Sequence, residues 1–215
     1  MLVLAFDTAT PAVTAALHDG ERVLAESTTI DARRHGELLA PTIERVLAES
    51  GASLRDVTAV VAGSGPGPYT GLRVGLMTAQ GLSTTLGVPS YGVCTLDAVA
   101  FGSGLAEPFL VATDARRKEV FWGRYADMRT RAEGPFVDRP AEVPVEGLPV
   151  VGAGAALYPE ILGNGGDVPP YPSAGALAAL AAERLAEGAP LGPPRPIYLR
   201  RPDAVVPGAP KRVTA

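Results

Sequence analysis

The chain has one cysteine and two histidines, and aromatic residues make up only 6% of its 215 positions. A lone cysteine, Cys94, excludes an internal disulfide and any cysteine-rich metal site. It fits a reducing compartment. Two histidines exclude a pair on one helix face, because the residue four places after His35 is Leu39 and those three and four before it are Ala32 and Asp31. Without such a pair, carboxylates alone make a poor transition-metal site, and no metal is expected. His35 is expected exposed at a helix start and His18 solvated beside a turn. The same scarcity weighs against nucleophilic catalysis. Ser64 lies in Ala62-Gly63-Ser64-Gly65-Pro66 rather than in a Gly-x-Ser-x-Gly elbow. Excess positive charge is also missing. The net charge is −4, so the surface as a whole does not attract phosphate backbones. Short basic clusters, Arg116-Arg117-Lys118 and Arg200-Arg201, read as solvated charge. No apolar run approaches bilayer length. Residues 1–6 are apolar but lack a basic leader and stop at Asp7, so they do not read as a signal peptide. A cytoplasmic protein with no membrane contact is expected.

What the chain does have is ample apolar residue, 47%, and one conspicuous stretch, Ala62-Gly63-Ser64-Gly65-Pro66-Gly67-Pro68-Tyr69-Thr70-Gly71-Leu72-Arg73-Val74-Gly75. An apolar run enters it and an amphipathic run leaves it, which predicts strand, tight loop and helix. Gly63, Gly65 and Gly67 permit positive φ or close backbone approach, and Pro66 and Pro68 stiffen the loop. Thr70 is the expected N-cap. The spacing fits neither Gly-x-x-x-x-Gly-Lys-Ser/Thr nor Gly-x-Gly-x-x-Gly. A backbone anion nest at the helix start stays open, and a structural turn is the preferred reading.

Before the loop, residues 2–6, 12–17 and 22–27 read as three antiparallel strands, with Asp19-Gly20 as a hairpin turn. A helix follows over 36–50, ended by Gly51. Leu38, Leu39, Thr42, Ile43, Val46 and Leu47 form two adjacent columns on it, a wider stripe than one contact surface needs. After the loop, Gly71, Gly75 and Ala79 fall at i, i+4 and i+8, a stripe without side-chain bulk that lets another backbone approach. Residues 90–93 read as a strand, and Thr95 as the cap of a helix to residue 100. The pattern then restarts with strands over 108–113 and 120–125 around Asp114, as Asp7 stands between the opening strands. Residues 130–149 read as loop with room for a strand, 149–152 as strand, 164–167 as loop, and 174–187 as a helix capped by Ser173. The repeat gives an α/β fold of two lobes. Residues 1–104 form the first lobe, 105–195 a smaller second lobe, and 196–215 a proline-rich arm ending in Lys211 and Arg212.

Gly65-Pro66-Gly67-Pro68-Tyr69-Thr70-Gly71-Leu72-Arg73-Val74-Gly75 closely resembles the Gly-Pro-Gly-Ser-Phe-Thr-Gly-Leu-Arg-Ile-Gly signature of the bacterial TsaB (YeaZ) family. Departures are Pro68, Tyr69 and Val74. The resemblance extends through Ala5-Phe6-Asp7-Thr8-Ala9-Thr10, Thr113-Asp114-Ala115-Arg116 and Pro196-Ile197-Tyr198-Leu199-Arg200. It implies two ribonuclease-H-like lobes of the actin-like ATPase superfamily, the second reduced. In active members of that superfamily the first turn resembles Asp-x-Gly-Thr and holds magnesium and phosphate. Here Asp7, Thr8 and Thr10 remain but the glycine is absent. Asp114 stands in an equally glycine-free second turn, and Gly152-Ala153-Gly154 replaces the adenosine-side glycine pair. These turns read as degenerate, with Asp7 and Asp114 as turn formers. The resemblance further implies a non-catalytic partner of a TsaD-like transferase, which moves threonylcarbamoyl from its adenylate to N6 of adenosine 37 in ANN-decoding tRNAs. It implies a TsaE-like ATPase as third partner, tRNA met only through the complex, and no nucleotide held tightly, ATP or ADP entering only within the complex. The two helices of the first lobe, through Leu38, Leu39, Thr42, Ile43, Val46, Leu47, Gly71, Gly75 and Ala79, are the expected partner surface, and a homodimer forms through it in isolation. The opposing readings are an independent ATP-dependent kinase or hydrolase, or a glycoprotease-like peptidase.

Overall fold

The computed structural model describes residues 1–163, 168–189 and 191–200. The expected loop over 164–167 and the basic end of the arm, with Lys211 and Arg212, lie outside them. Three strands open the chain: β1 (Val3–Asp7), β2 (Ala12–His18) and β3 (Val23–Ile30). They pair antiparallel, with Val3 opposite His18 and Asp7 opposite Thr14. Helix α1 (His35–Ser50) follows and stops at Gly51, whose φ of 70° suits a residue without a Cβ. Then come β4 (Ala59–Gly63), α2 (Tyr69–Leu86), β5 (Ser90–Val93) and α3 (Thr95–Ser103). Strands β4 and β5 run parallel to β1, giving the order β3-β2-β1-β4-β5.

The second sheet has the order β8-β7-β6-β9, built from β6 (Phe109–Asp114), β7 (Val120–Asp127), β8 (Thr130–Asp138) and β9 (Val150–Val151). The strand β8 occupies the stretch that reads mainly as loop. Its polar, half-exposed edge character hides it from an apolar pattern. Short helices α4 (Ala153–Leu157) and α5 (Pro159–Leu162) precede α6 (Ala174–Ala186). Ser173 caps α6 by accepting from Ala176 N–H at 3.0 Å.

Strand β1 is covered on both faces, which is why it reads as an unbroken apolar run. Leu4 and Phe6 face the core beneath α1 and α2, with Leu39, Ile43, Val46, Leu72 and Leu76. Val3 and Ala5 face the opposite core, with Ala98 of α3 and Leu177, Ala178 and Ala181 of α6. The strands of the two sheets divide between β5 and β6, but α6 packs on the first sheet although its sequence position falls in the second half. Helix α3 serves both halves: its Leu96, Val99 and Ala100 lie in the core of the second sheet with Phe109, Val111 and Tyr125.

Candidate functional site

The first turn, the loop before α2 and the start of α3 meet around Asp7. Its carboxylate is fully buried. Oδ1 accepts from Ala9 N–H at 2.6 Å and Oδ2 from the Thr95 hydroxyl at 2.6 Å. Thr95 is the first residue of α3 rather than its cap; its hydroxyl also accepts from Gly65 N–H at 3.1 Å. Gly63 is pressed so close that a Cβ there would fall inside the Asp7 carboxyl group. Nothing can enter beside this carboxylate. Burial raises the Asp7 pKa above its ordinary value, against the opposing pull of the Thr95 and Ala9 hydrogen bonds and of His35.

Thr8 explains the glycines of α2. Its hydroxyl donates to Gly71 O at 2.7 Å and accepts from Gly75 N–H at 3.0 Å. It therefore sits between a carbonyl and an N–H one turn apart, and a Cβ on Gly75 would lie 2.7 Å from it. In the bare stripe, Gly71 and Gly75 are buried against the chain's own first turn, and Ala79 is buried in the core beneath α1 and α2. This corrects its assignment as a partner surface: the close approach is real, but what approaches is Thr8 in the turn after β1. Leu39, Thr42, Ile43 and Val46 are likewise buried within the lobe, while Leu38 and Leu47 are half-buried at its margin.

Other expectations shift for similar reasons. The residue before α2 is Pro68, with no side-chain cap, and Thr70 lies exposed in the first turn. Gly65 has φ 83°, whereas Gly67 does not have positive φ. Gly67 is required by proximity instead, because a Cβ would overlap the Ala9 carbonyl oxygen. The Gly65–Pro66 peptide is cis. His18 is buried, not solvated; its Nδ1 accepts from Gly20 N–H at 3.0 Å, and burial lowers its pKa. His35 is half-buried, with Nε2 2.8 Å from Thr10 O.

A cleft separates the two turns, with adjoining cavities of about 320 and 400 Å³ that share Thr10, Pro11, Ala32, Asp114 and Arg116. Asp114 does not offer a free carboxylate to it. Oδ1 accepts from Arg116 N–H at 2.7 Å, and Oδ2 pairs with the Arg116 guanidinium at 3.2 Å. Thr113 Oγ1, at the cleft wall, is buried without a hydrogen-bond partner. Ser64 is buried and not poised as a nucleophile. Burial pushes the Cys94 thiol up to about 12, so it is no nucleophile either. Among the described residues, no group of three or more His, Cys, Asp or Glu is placed to hold a metal ion, and no helix is long and apolar enough to cross a membrane.

A family model described as TsaD, tRNA N6-adenosine threonylcarbamoyltransferase, matches residues 22–162. YeaZ from Pseudomonas aeruginosa superposes with a TM-score of 0.78 at 29% identity, over 92% of this chain and 99% of that one. A second Pseudomonas aeruginosa structure, of an uncharacterized protein with similarity to peptidase YEAZ, gives 0.79 at 30% identity, over 93% and 99%. The chain belongs to the TsaB (YeaZ) family. Its two lobes are thus those of the actin-like ATPase fold. Within the family, the chain is 46% identical to an uncharacterized protein of Mycobacterium tuberculosis, over 94% of this chain and 93% of that protein. It is 40% identical to the Escherichia coli tRNA threonylcarbamoyladenosine biosynthesis protein TsaB over 128 residues, 58% of this chain and 55% of that protein.

The raised pKa of Asp7 has a measurable consequence. The folded chain holds this proton more tightly than the unfolded chain, whose carboxyl keeps its ordinary value of 3.8. The contribution of Asp7 to stability is therefore greatest below that value and falls as pH rises through the folded pKa. Asp7→Asn removes this titration. Urea midpoints measured from about pH 4 to pH 8 should show a difference between variant and wild type that drifts in favour of the variant as pH rises. A difference that stays constant with pH would show that Asp7 does not titrate anomalously.

Proposed function

We propose that the chain is a non-catalytic activating subunit in t6A biosynthesis. It binds a TsaD-like transferase that moves threonylcarbamoyl from its adenylate onto N6 of adenosine 37 in ANN-decoding tRNAs. A TsaE-like ATPase is the third component, tRNA is engaged in the assembled complex, and the setting is the cytoplasm. Family membership supports the pathway. The observation that carries the subunit role is the occupied first turn: Asp7, Thr8 and Thr10 are committed to the chain's own backbone and to Thr95. A phosphate-binding turn needs those groups for its ligand. The cleft between the turns accordingly holds no nucleotide tightly in the single chain, and ATP or ADP enters only with the partners.

The partner surface is the outer side of α1 and α2, not the stripes buried beneath it. There Leu38, Leu47, Val74 and Leu82 are only half-covered, Met77 is 58% exposed, and Gly81 faces open space. A helix pair of the same fold can complete this incomplete seam. A second copy of the chain can do so through a two-fold axis when the transferase is absent.

Purified alone with ATP, threonine, bicarbonate and tRNA, the chain should form no modified adenosine; with the transferase and the ATPase it should raise the yield. Turnover by the lone chain that Asp7→Ala abolishes would overturn the subunit role. Met77→Asp places a charge in the seam and should weaken partner binding by about 2 kcal/mol or more without lowering the melting temperature. Light scattering after size exclusion measures both associations. Wild-type heterodimer and homodimer formation by this variant would place the interface elsewhere.

A further inference from the structure

Helices α1 and α2 run in the same direction. Each returns the chain between strands that run parallel to β1, so both helices lie antiparallel to that strand. Their starts are level. A Cβ on Gly71 would lie 3.4 Å from the His35 ring, and one on Gly36 would lie 4.0 Å from Val74. One turn on from Gly36 and Val74, Ala40 of α1 stands level with Met77 of α2. A further turn along α1 reaches Glu44, and a turn back from Met77 along α2 reaches Arg73. All four of these side chains are exposed.

Among the described residues, neither Arg73 nor Glu44 has an ion-pair partner. Arg73 is nevertheless held in place. Its Nε donates to the Tyr198 hydroxyl at 3.3 Å, and its guanidinium lies 4.0 Å from the Tyr69 centroid. Tyr69 and Tyr198 stack on each other, 5.6 Å apart. The two terminal nitrogens of Arg73 make no hydrogen bond among the described residues. An arginine fixed by two rings has already lost part of the freedom that binding removes, and its free edge matches a carboxylate. Along α2 it is the one charged residue, whereas α1 carries Glu37, Glu44 and Glu49 against Arg45. The two helices are thus unlike in charge.

A two-fold axis that crosses the seam at the level of Met77 and Ala40 reverses the helix direction in a second copy. It carries Arg73, one turn before Met77, to the level of Glu44, one turn after Ala40. The contact is isologous, so the same pairing forms twice. We infer that two reciprocal Arg73–Glu44 ion pairs flank Met77 in a homodimer and set its register. This rests on the reading of the outer side of α1 and α2 as the association surface, and it names the occupant in the isolated protein as a second copy. Glu37 lies two turns before Glu44 and falls level with the uncharged Gln80, so it takes no part. Charged pairs at the rim of an apolar contact fix orientation more than they add affinity.

Charge exchange in the full chain tests the register, with dimerisation followed by analytical ultracentrifugation. The wild-type dimer should weaken as salt rises. Arg73→Glu and Glu44→Arg both alter exposed side chains, so melting should stay as in wild type. In either variant alone both contacts become like-charged, and the dimer dissociation constant should rise about tenfold or more. Mixed in equal amounts, the two variants form a dimer in which both contacts are again of opposite charge, and the constant should return to within about threefold of wild type. Glu37→Arg mixed with Arg73→Glu controls for register and should not restore the dimer. Single variants that dimerise as wild type does, a mixture that stays monomeric, or equal rescue by Glu37→Arg would each overturn the pairing and leave the seam itself standing. A wild-type chain that is monomeric at every concentration would instead remove self-association through the seam, and the pairing with it.

Discussion

Replacing Gly63 by alanine is expected to destabilise the protein by about 3–5 kcal/mol, the sum of overpacking and of broken buried hydrogen bonds. The new methyl would fall on the Asp7 carboxyl group, which is fully enclosed. That carboxyl cannot turn away cheaply. Moving it breaks the bonds from Ala9 N–H and Thr95, and Thr95 in turn holds Gly65 N–H. Backing β4 away instead disturbs its pairing, which sets Ala62 opposite Phe6 and Gly63 opposite Val93. For a chain of this length the loss corresponds to a melting temperature lower by roughly 10 °C. The urea midpoint should fall with an unchanged slope. In an Asp7→Ala background the same substitution should cost about 2 kcal/mol less, because the two residues are in contact and their effects do not add. A Gly63→Ala protein within about 1 kcal/mol of wild type would mean that the enclosure of Asp7 is not rigid.

The elements around this contact were legible in the sequence because each carries a strong local signal. Asp19-Gly20 marks the hairpin, Gly51 and Gly87 stop α1 and α2 at φ 70° and 67°, and Ser173 caps α6. The glycines at 71 and 75 announced a close approach. What approaches them could not be read, because Thr8 lies 63 residues from Gly71 and its hydroxyl looks like any turn residue's. Periodicity also overcounted the free surface of α1. Two apolar columns suggested a spare face, but α1 packs over β2 and β3 while α2 closes its flank, so Leu39, Thr42, Ile43 and Val46 all find cover. The placement of α6 on the first sheet left no trace in the local pattern, since a buried alanine-rich helix fits either lobe. A cavity between the start of α2, the β6–β7 turn and residues 197–200 was visible only as scattered arginines. Arg116, Arg117 and Arg200 read as solvated charge and Arg73 as part of the signature loop, and the fold brings all four together.

Asp97 was missed altogether, and it anchors the junction of the two sheets. It lies on α3, 6% exposed, where an aspartate in an apolar helix gives no signal of its partners. Oδ1 accepts from the Tyr125 hydroxyl of β7 at 2.8 Å and lies 3.5 Å from Arg131 of β8. Oδ2 lies 3.4 Å from Arg184 of α6. Arg131 also donates to Cys94 Sγ at 3.2 Å. One carboxylate thus joins α3 to two strands of the second sheet and to the last helix, which packs on the first. Asp97→Ala should cost about 3–5 kcal/mol, because it strands a buried phenol and a half-buried guanidinium rather than deleting a balanced pair. Asp97→Asn keeps an acceptor for Tyr125 and should cost less, about 1–3 kcal/mol from the lost charge. Tyr125→Phe removes the phenol's demand, and in that background Asp97→Ala should be milder by about 1 kcal/mol or more. Urea unfolding of the wild type, the three single variants and the double variant gives the three differences. A loss below about 1 kcal/mol for Asp97→Ala would mean that apolar contacts of α3 hold the junction and that the ion cluster is incidental to it. Its burial argues the other way: a charge enclosed on three sides by partners from three elements is expensive to leave uncompensated.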